Sequence, residues 1–197
     1  MRRPRWAPAP AALVLVGGLV VSGCGEDRES ERLPRTQDAA TSDGEEDGAT
    51  AEEQAAFRVH QLVDGRNALR RGPGTYTDPK SIGFAEEKLA KAMIAESNTL
   101  DRKGRKQEGT TQLVGEPEVT ETDLNPPKEG DAQPAPFVEL RACVDASDTR
   151  IVNSKGKKVT DSEGTGPRPM KYRVINRSWP AKSGWKVAWE EPIKGSC

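Results

Sequence analysis

One histidine and three cysteines hold most of the nucleophilic and proton-transferring capacity of this 197-residue chain. His60 has Asp64 one helical turn after it, and Asp145 closes an alternating stretch further on, so a histidine–carboxylate general base is a chemistry these types allow. A metal centre is not indicated, because no second histidine and no thiol pair at ligand spacing accompanies His60. No Gly-rich phosphate loop follows a strand-like run and no Gly-x-Ser-x-Gly elbow occurs, so no cofactor is expected. Trp185 and Trp189 could cage an apolar ligand, but two tryptophans at this spacing read first as core. Of the cysteines, Cys24 sits between an oily run and an acidic one, Cys143 lies inside an alternating stretch, and Cys197 is the last residue.

The elements that would position these groups begin with the N-terminus. Arg2, Arg3 and Arg5 precede an uninterrupted apolar run from Ala11 to Val21, followed by the small residues Ser22 and Gly23, which is the three-part pattern of an export signal. As a helix the apolar run spans roughly 17 Å, about half of the ~30 Å hydrocarbon core, so a signal to be cut is expected rather than a membrane span, an uncleaved anchor being the alternative. "VSGC", residues 21–24, resembles the lipobox of a bacterial lipoprotein. The resemblance implies that Cys24 receives a diacylglyceryl group and becomes the first residue of the mature chain, because a thiolate is the side chain able to form a thioether-linked lipid. Two or more acyl chains hold a protein on a membrane where a single one binds marginally.

Residues 1–23 are thus expected to be a lipoprotein signal peptide, and residues 24–50 the lipidated cysteine with an acidic, disordered tether. The tether carries nine acidic residues against three arginines, and Leu33 is its one large aliphatic, a composition that cannot build a core. With Cys24 committed to lipid, the lipoprotein reading leaves Cys143 and Cys197 as an even pair in an oxidising compartment, and a disulfide between them is expected.

In residues 51–197 basic and acidic residues nearly balance. No face-long Lys/Arg cluster with interleaved aromatics appears, which argues against a nucleic-acid partner. The richest basic stretch, "DRKGRK", residues 101–106, reads as a helix end with Gly104 as cap and cations at the negative end of the dipole, the alternative being a lipid-headgroup or polyanion site.

Ala55, Val59, Leu62, Val63 and Leu69 follow helical spacing, with Thr50 and Glu53 as a capping box and Gly72-Pro73-Gly74 as the stop. A second helix is expected from Asp78, with Pro79 in its first turn, through Ile82, Ala85, Leu89, Ala92 and Met93, ending before Gly104. "FVELRACVD", residues 137–145, alternates Val138, Leu140, Ala142 and Val144 against Glu139, Arg141, Cys143 and Asp145, the pattern of a half-buried strand. Residues 170–192 read as a hairpin, with Tyr172 and Val174 on one face of the first strand and Trp185, Val187 and Trp189 on one face of the second. "GTTQLVGEPEVTETDL", residues 109–124, suggests two weaker strands broken at Gly115 and Pro117, and "NSKGKK", residues 153–158, a turn.

Helices first and antiparallel strands after, with the "CVD" strand and the closing "GWKV" strand, resemble the nuclear transport factor two-like superfamily, also called SnoaL-like or cystatin-like. Residues 51–197 are more specifically similar to the lipid-anchored and membrane-tethered domains of high-GC Gram-positive bacteria that carry this fold. The resemblance implies an α+β domain in which two N-terminal helices pack on a bent antiparallel sheet, a cone enclosing a pocket with His60, Leu140, Tyr172, Trp185 and Trp189 as pocket candidates. The expected function is a non-enzymatic lipoprotein at the extracytoplasmic face of the cell membrane, its domain binding an apolar small molecule or an envelope protein. The alternatives are a cyclase-like or isomerase-like enzyme, since some cone-fold enzymes use a pocket histidine with a carboxylate, and an accessory subunit of an envelope transport or wall-synthesis complex. An open polar pocket containing His60 beside a carboxylate favours the enzyme, a closed apolar pocket a ligand, and a filled pocket with an exposed apolar patch a protein partner.

Overall fold

The computed structural model describes residues 49–126, 134–163 and 166–197, the side chains of residues 160–163 excepted. The expected signal peptide, Cys24 and nearly all of the tether lie outside the described residues. The domain is α+β, two helices preceding two antiparallel sheets.

Helix α1 spans Ala51–Arg71. Its capping box closes as the sequence predicts: Thr50 Oγ1 accepts from the Glu53 amide at 3.2 Å, and Glu53 Oε2 accepts from the Thr50 amide at 2.7 Å. Ala55, Val59, Leu62, Val63 and Leu69 form its buried stripe, and the Gly72 amide ends it on the Ala68 carbonyl.

The second helix starts later than expected. Asp78 does cap a turn, accepting from the Lys80 amide at 2.9 Å, but that turn is a short 3-10 segment, Pro79–Ser81. Helix α2 spans Glu87–Arg102. Residues 84–86 between them are extended because they pair with a strand: the Val187 amide donates to the Phe84 carbonyl at 2.9 Å, and the Glu86 amide donates to the Val187 carbonyl at 2.8 Å. Ile82 and Ala85 are therefore buried outside the helix, and Ala92 is exposed while Ala90, Met93 and Ile94 face inward. Gly104, at φ +58°, turns the chain out of α2 with its amide on the Asp101 carbonyl, a backbone conformation that glycine adopts without steric cost.

The expected single sheet is two. The larger has the order β2-β3-β6-β7, made of Gln112–Asp123, Phe137–Asp145, Arg168–Asn176 and Trp185–Pro192. The smaller has the order β1-β4-β5, made of Arg105–Glu108, Arg150–Asn153 and Lys158–Glu163. Where two weak strands are expected there is one, β2. Its residues Val114 and Glu118 face Cys143 and Arg141, so the extra residues at Gly115 to Pro117 bulge out and the ladder resumes.

A bulge in β7 overturns the expected face of Trp189. Val187 pairs with Val174 but Trp189 pairs with Arg173, so the intervening Ala188 shifts the alternation by one and turns Trp189 to the opposite face from Trp185.

The core lies between the helices and the larger sheet. Val138, Leu140, Ala142, Val144, Met170, Tyr172, Val174, Trp185 and Val187 meet the stripe of α1 and the inner face of α2. Close approach has a specific device on α1. A Cβ at Gly65 would fall 2.1 Å from Phe84 Cζ, so the Phe84 ring rests directly on the helix backbone.

Candidate functional site

His60 does not pair with Asp64 or Asp145, the carboxylates that residue types offered it. His60 sits on the outer side of α1, with Nε2 3.2 Å from Glu116 Oε2, a side chain that the β2 bulge presents to solvent. Asp64 is exposed, and Asp145 Oδ1 accepts from the Ser147 amide at 2.8 Å to close the turn after β3. Among the described residues no group of three or more His, Cys, Asp or Glu side chains gathers as a metal site would require.

The five pocket candidates are not brought to one cavity. Leu140 and Trp185 are packed within the core, Trp189 lies on the far face of the larger sheet, and His60 is on the surface. Tyr172 borders a hollow among the described residues, about 60 Å³, where α1 meets β6 and β7. Arg66 from α1 and Glu190 from β7 form an ion pair there. Burial opposes the Arg66 charge, but its hydrogen bond and proximity to Glu190 prevail and hold its pKa above the usual guanidinium value. Burial, then the Glu190 charge, raises the Tyr172 phenol well above its ordinary value. The hollow therefore carries a partly buried ion pair and a phenol whose ionisation is pushed up.

Next to it, Asn67 does what sequence reasoning missed. Its side chain, 1% exposed, donates to the Thr111 carbonyl at 2.7 Å and accepts from the Thr111 amide and Gln107 Nε2, each at 3.0 Å. The amide thus stitches α1 to the β1–β2 connection. The signal was a polar residue four positions after Val63, on the apolar stripe itself.

The far face of the larger sheet is charged yet partly buried. Glu139, only 5% exposed, lies between Lys171 and Arg173, with Arg173 Nε 3.3 Å from its Oε1. The Arg173 guanidinium stacks 3.8 Å from the Phe137 ring centre, and Lys171 Nζ is 5.8 Å from the Trp189 ring centre. Beside them is a depression of about 350 Å³, lined by Asp123, Pro126, Pro134, Phe137, Arg173 and Ile175. Alternation identifies Glu139 as outward-facing, but its burial comes from cations on the neighbouring strand.

The Cys143–Cys197 disulfide is formed, with the Cα atoms 5.8 Å apart. Cys143 is on the far face, so the tail crosses outside the sheet, where Arg141 Nη2 also donates to the Ser196 carbonyl at 2.9 Å.

No protein-family model matches the chain, and no curated protein matches it. Among solved structures it is similar to the crystal structure of the intermembrane space region of the chloroplast protein ARC6, at 17% identity and a TM-score of 0.43. That match covers 75% of this chain and 98% of the other.

Proposed function

We propose that this chain is a lipoprotein held at the extracytoplasmic face of the cell membrane through Cys24, and that its folded domain is a non-enzymatic module binding an envelope protein. The observation that carries the choice of a protein over a small ligand is the filled interior. Trp185, Tyr172, Leu62, Leu140, Val59, Val138, Val174 and Val187 occupy the space between α1 and the larger sheet. The hollow described there is about 60 Å³, well below the roughly 300–1,000 Å³ of typical small-molecule pockets, and the depression of about 350 Å³ lies outside this interior, by the charged face of the larger sheet.

Two further observations favour the reading. His60 is solvated and paired with an exposed glutamate rather than enclosed with a substrate-sized space. The lipobox residues 21–24 close an apolar run that is short for a membrane span, which supports anchoring by lipid. The order of helices before antiparallel strands is consistent with the nuclear transport factor two-like cone as the finer fold.

The test is in cells. Cys24→Ala should move the protein from the membrane to the soluble fraction, and retention on membranes would sink the anchor. Native mass spectrometry of gently extracted wild-type protein should show a mass increment of protein size that disappears on denaturation. An increment of small-molecule size would overturn the choice of a protein partner.

A further inference from the structure

The smaller sheet gathers two basic stretches that lie about fifty residues apart in sequence. In the β1–β4 pairing Arg105 faces Asn153 and Lys106 faces Val152, with the strands antiparallel. Arg102 and Lys103 close α2 just before the Gly104 turn into β1, and Lys155 and Lys157 lie in the turn that follows Asn153, the partner of Arg105. That turn is fixed by Asn153, whose Oδ1 accepts from the Lys155 and Lys157 amides at 3.0 Å each, while the Gly156 amide donates to its carbonyl at 2.9 Å. Directly paired antiparallel residues have Cα atoms about 4.5–5.5 Å apart, so Arg102, Lys103, Arg105, Lys106, Lys155 and Lys157 all lie within a few residues along the chain of the Arg105–Asn153 pair, at one end of this sheet.

All six are exposed or half-exposed. Two neighbouring carboxylates whose side chains are described point elsewhere. Asp101 packs against Gly74, and Glu108 is paired with Arg150 at the other end of the sheet. A concentration of like charge on short strands is not explained by the helix end alone, which accounts for Arg102 and Lys103 but for neither lysine of the β4–β5 turn.

We propose that this basic end of the smaller sheet docks on the phosphate-rich surface of an anionic phospholipid membrane. The inference rests on the membrane-anchored reading for its location. Charge complementarity selects the surface, and the chain length outside the structure permits the contact. The basic end lies near the C-terminal end of α1, since Asp101, next to Arg102, packs against Gly74 just after α1, and the Gly74 amide also donates to Ser97 of α2. Thr50 is at the other end of α1, about 30 Å away at ~1.5 Å per residue. Residues 24–50 can extend to about 90 Å at ~3.3–3.6 Å per residue, enough for an anchored Cys24 to leave the far end of the domain in contact with the bilayer. The acidic residues of that segment are repelled by the same lipids, so the basic end is the complementary surface.

The experiment uses residues 24–197 with Cys24→Ala, so that no acyl chain contributes, and sedimentation with vesicles. Binding is expected to phosphatidylglycerol/phosphatidylcholine vesicles and not to phosphatidylcholine alone, and to weaken as salt is raised. Each cation near an anionic surface contributes roughly fivefold in affinity, so Lys103→Ala, Lys106→Ala, Lys155→Ala and Lys157→Ala together should weaken binding by at least about one hundredfold. Lys88→Ala, exposed on α2 away from this end, should leave it unchanged.

Absence of binding to the anionic vesicles overturns the proposal, as does equal binding by the fourfold variant. Binding to soluble polyphosphate without vesicle binding overturns it in favour of a soluble polyanion. Vesicle binding that appears only after Asp43, Glu45, Glu46 and Asp47 are changed to Asn or Gln overturns it in favour of contact with the chain's own acidic segment. The lipid-anchor reading fails separately, in the Cys24→Ala fractionation of cells.

Discussion

The larger sheet and the smaller one divide the work of this domain according to strand length. Strands β2, β3, β6 and β7 are eight to twelve residues long, and alternate residues along β3, β6 and β7 close onto α1 and α2. Strands β1 and β4 have four residues each, and their buried side chains are Gln107 and Val152. A strand that short cannot bury an apolar face of its own, so the smaller sheet relies on strand pairing and on the Asn67–Gln107 hydrogen bond to α1. Its surface is correspondingly unconstrained by packing and carries clustered charge. Stability and surface chemistry are thus placed on different sheets.

The comparison can be broken most directly at the larger sheet. Trp185→Ala should destabilise the domain by about 3–5 kcal/mol in urea unfolding, since it empties the largest fully buried site. A loss below 1 kcal/mol would mean that the core lies elsewhere. Replacing Cys143 and Cys197 together by Ser should cost about 2–4 kcal/mol, because it releases the closure of the β3-to-tail loop. An unchanged midpoint under non-reducing conditions would show that the bridge contributes nothing.

Gly65→Ala should cost about 1–3 kcal/mol through overpacking against Phe84, and the double variant Gly65→Ala with Phe84→Ala should show non-additivity between the two sites. Tyr172 tests the same interface by pH. Its phenol keeps its proton in the folded state beyond the pH at which an unfolded tyrosine ionises, so its contribution is complete below pH ~10 and is lost as pH rises through the folded value. Tyr172→Phe should therefore flatten the alkaline fall in stability, by up to about 1.4 kcal/mol per pH unit above pH ~10. An alkaline limb identical to wild type would assign the fall to other groups. The smallest effect belongs to the smaller sheet. The fourfold Lys103/Lys106/Lys155/Lys157→Ala variant should keep its stability within about 0.5 kcal/mol, and a larger loss would make those lysines structural.

Much of the larger sheet's architecture was legible in advance because periodicity records which side meets the core. The α1 stripe, its Thr50–Glu53 capping box and the span of β3 follow from spacing and cap chemistry alone. The start of α2 did not, since Asp78 and Pro79 open a turn whose continuation depends on Phe84–Glu86 finding the β7 edge. Strand β1, the sequence Arg-Lys-Gln-Glu, has no apolar alternation to detect and is a strand because β4 offers it a partner. The pocket candidates were the least legible part. Tyr172 and Trp185 do face the helices, but the bulge at Ala188 carries Trp189 away, and a one-residue slip of that kind leaves no periodic trace.

By itself the sequence determined the order of helices before strands, the inward faces of α1 and β3, and the pairing expected of Cys143 with Cys197. The first two depend on residue type and spacing along one segment, which the local backbone period converts directly into direction, and the pairing came from counting the cysteines that the lipoprotein reading leaves. Tertiary structure alone decided that the interior is filled, that Glu139 is enclosed by Lys171 and Arg173, and that residues 102–106 and 155–157 share one end of a sheet. Each of those is a contact between segments distant in the chain, set by register and closure rather than by any property of the segments taken singly.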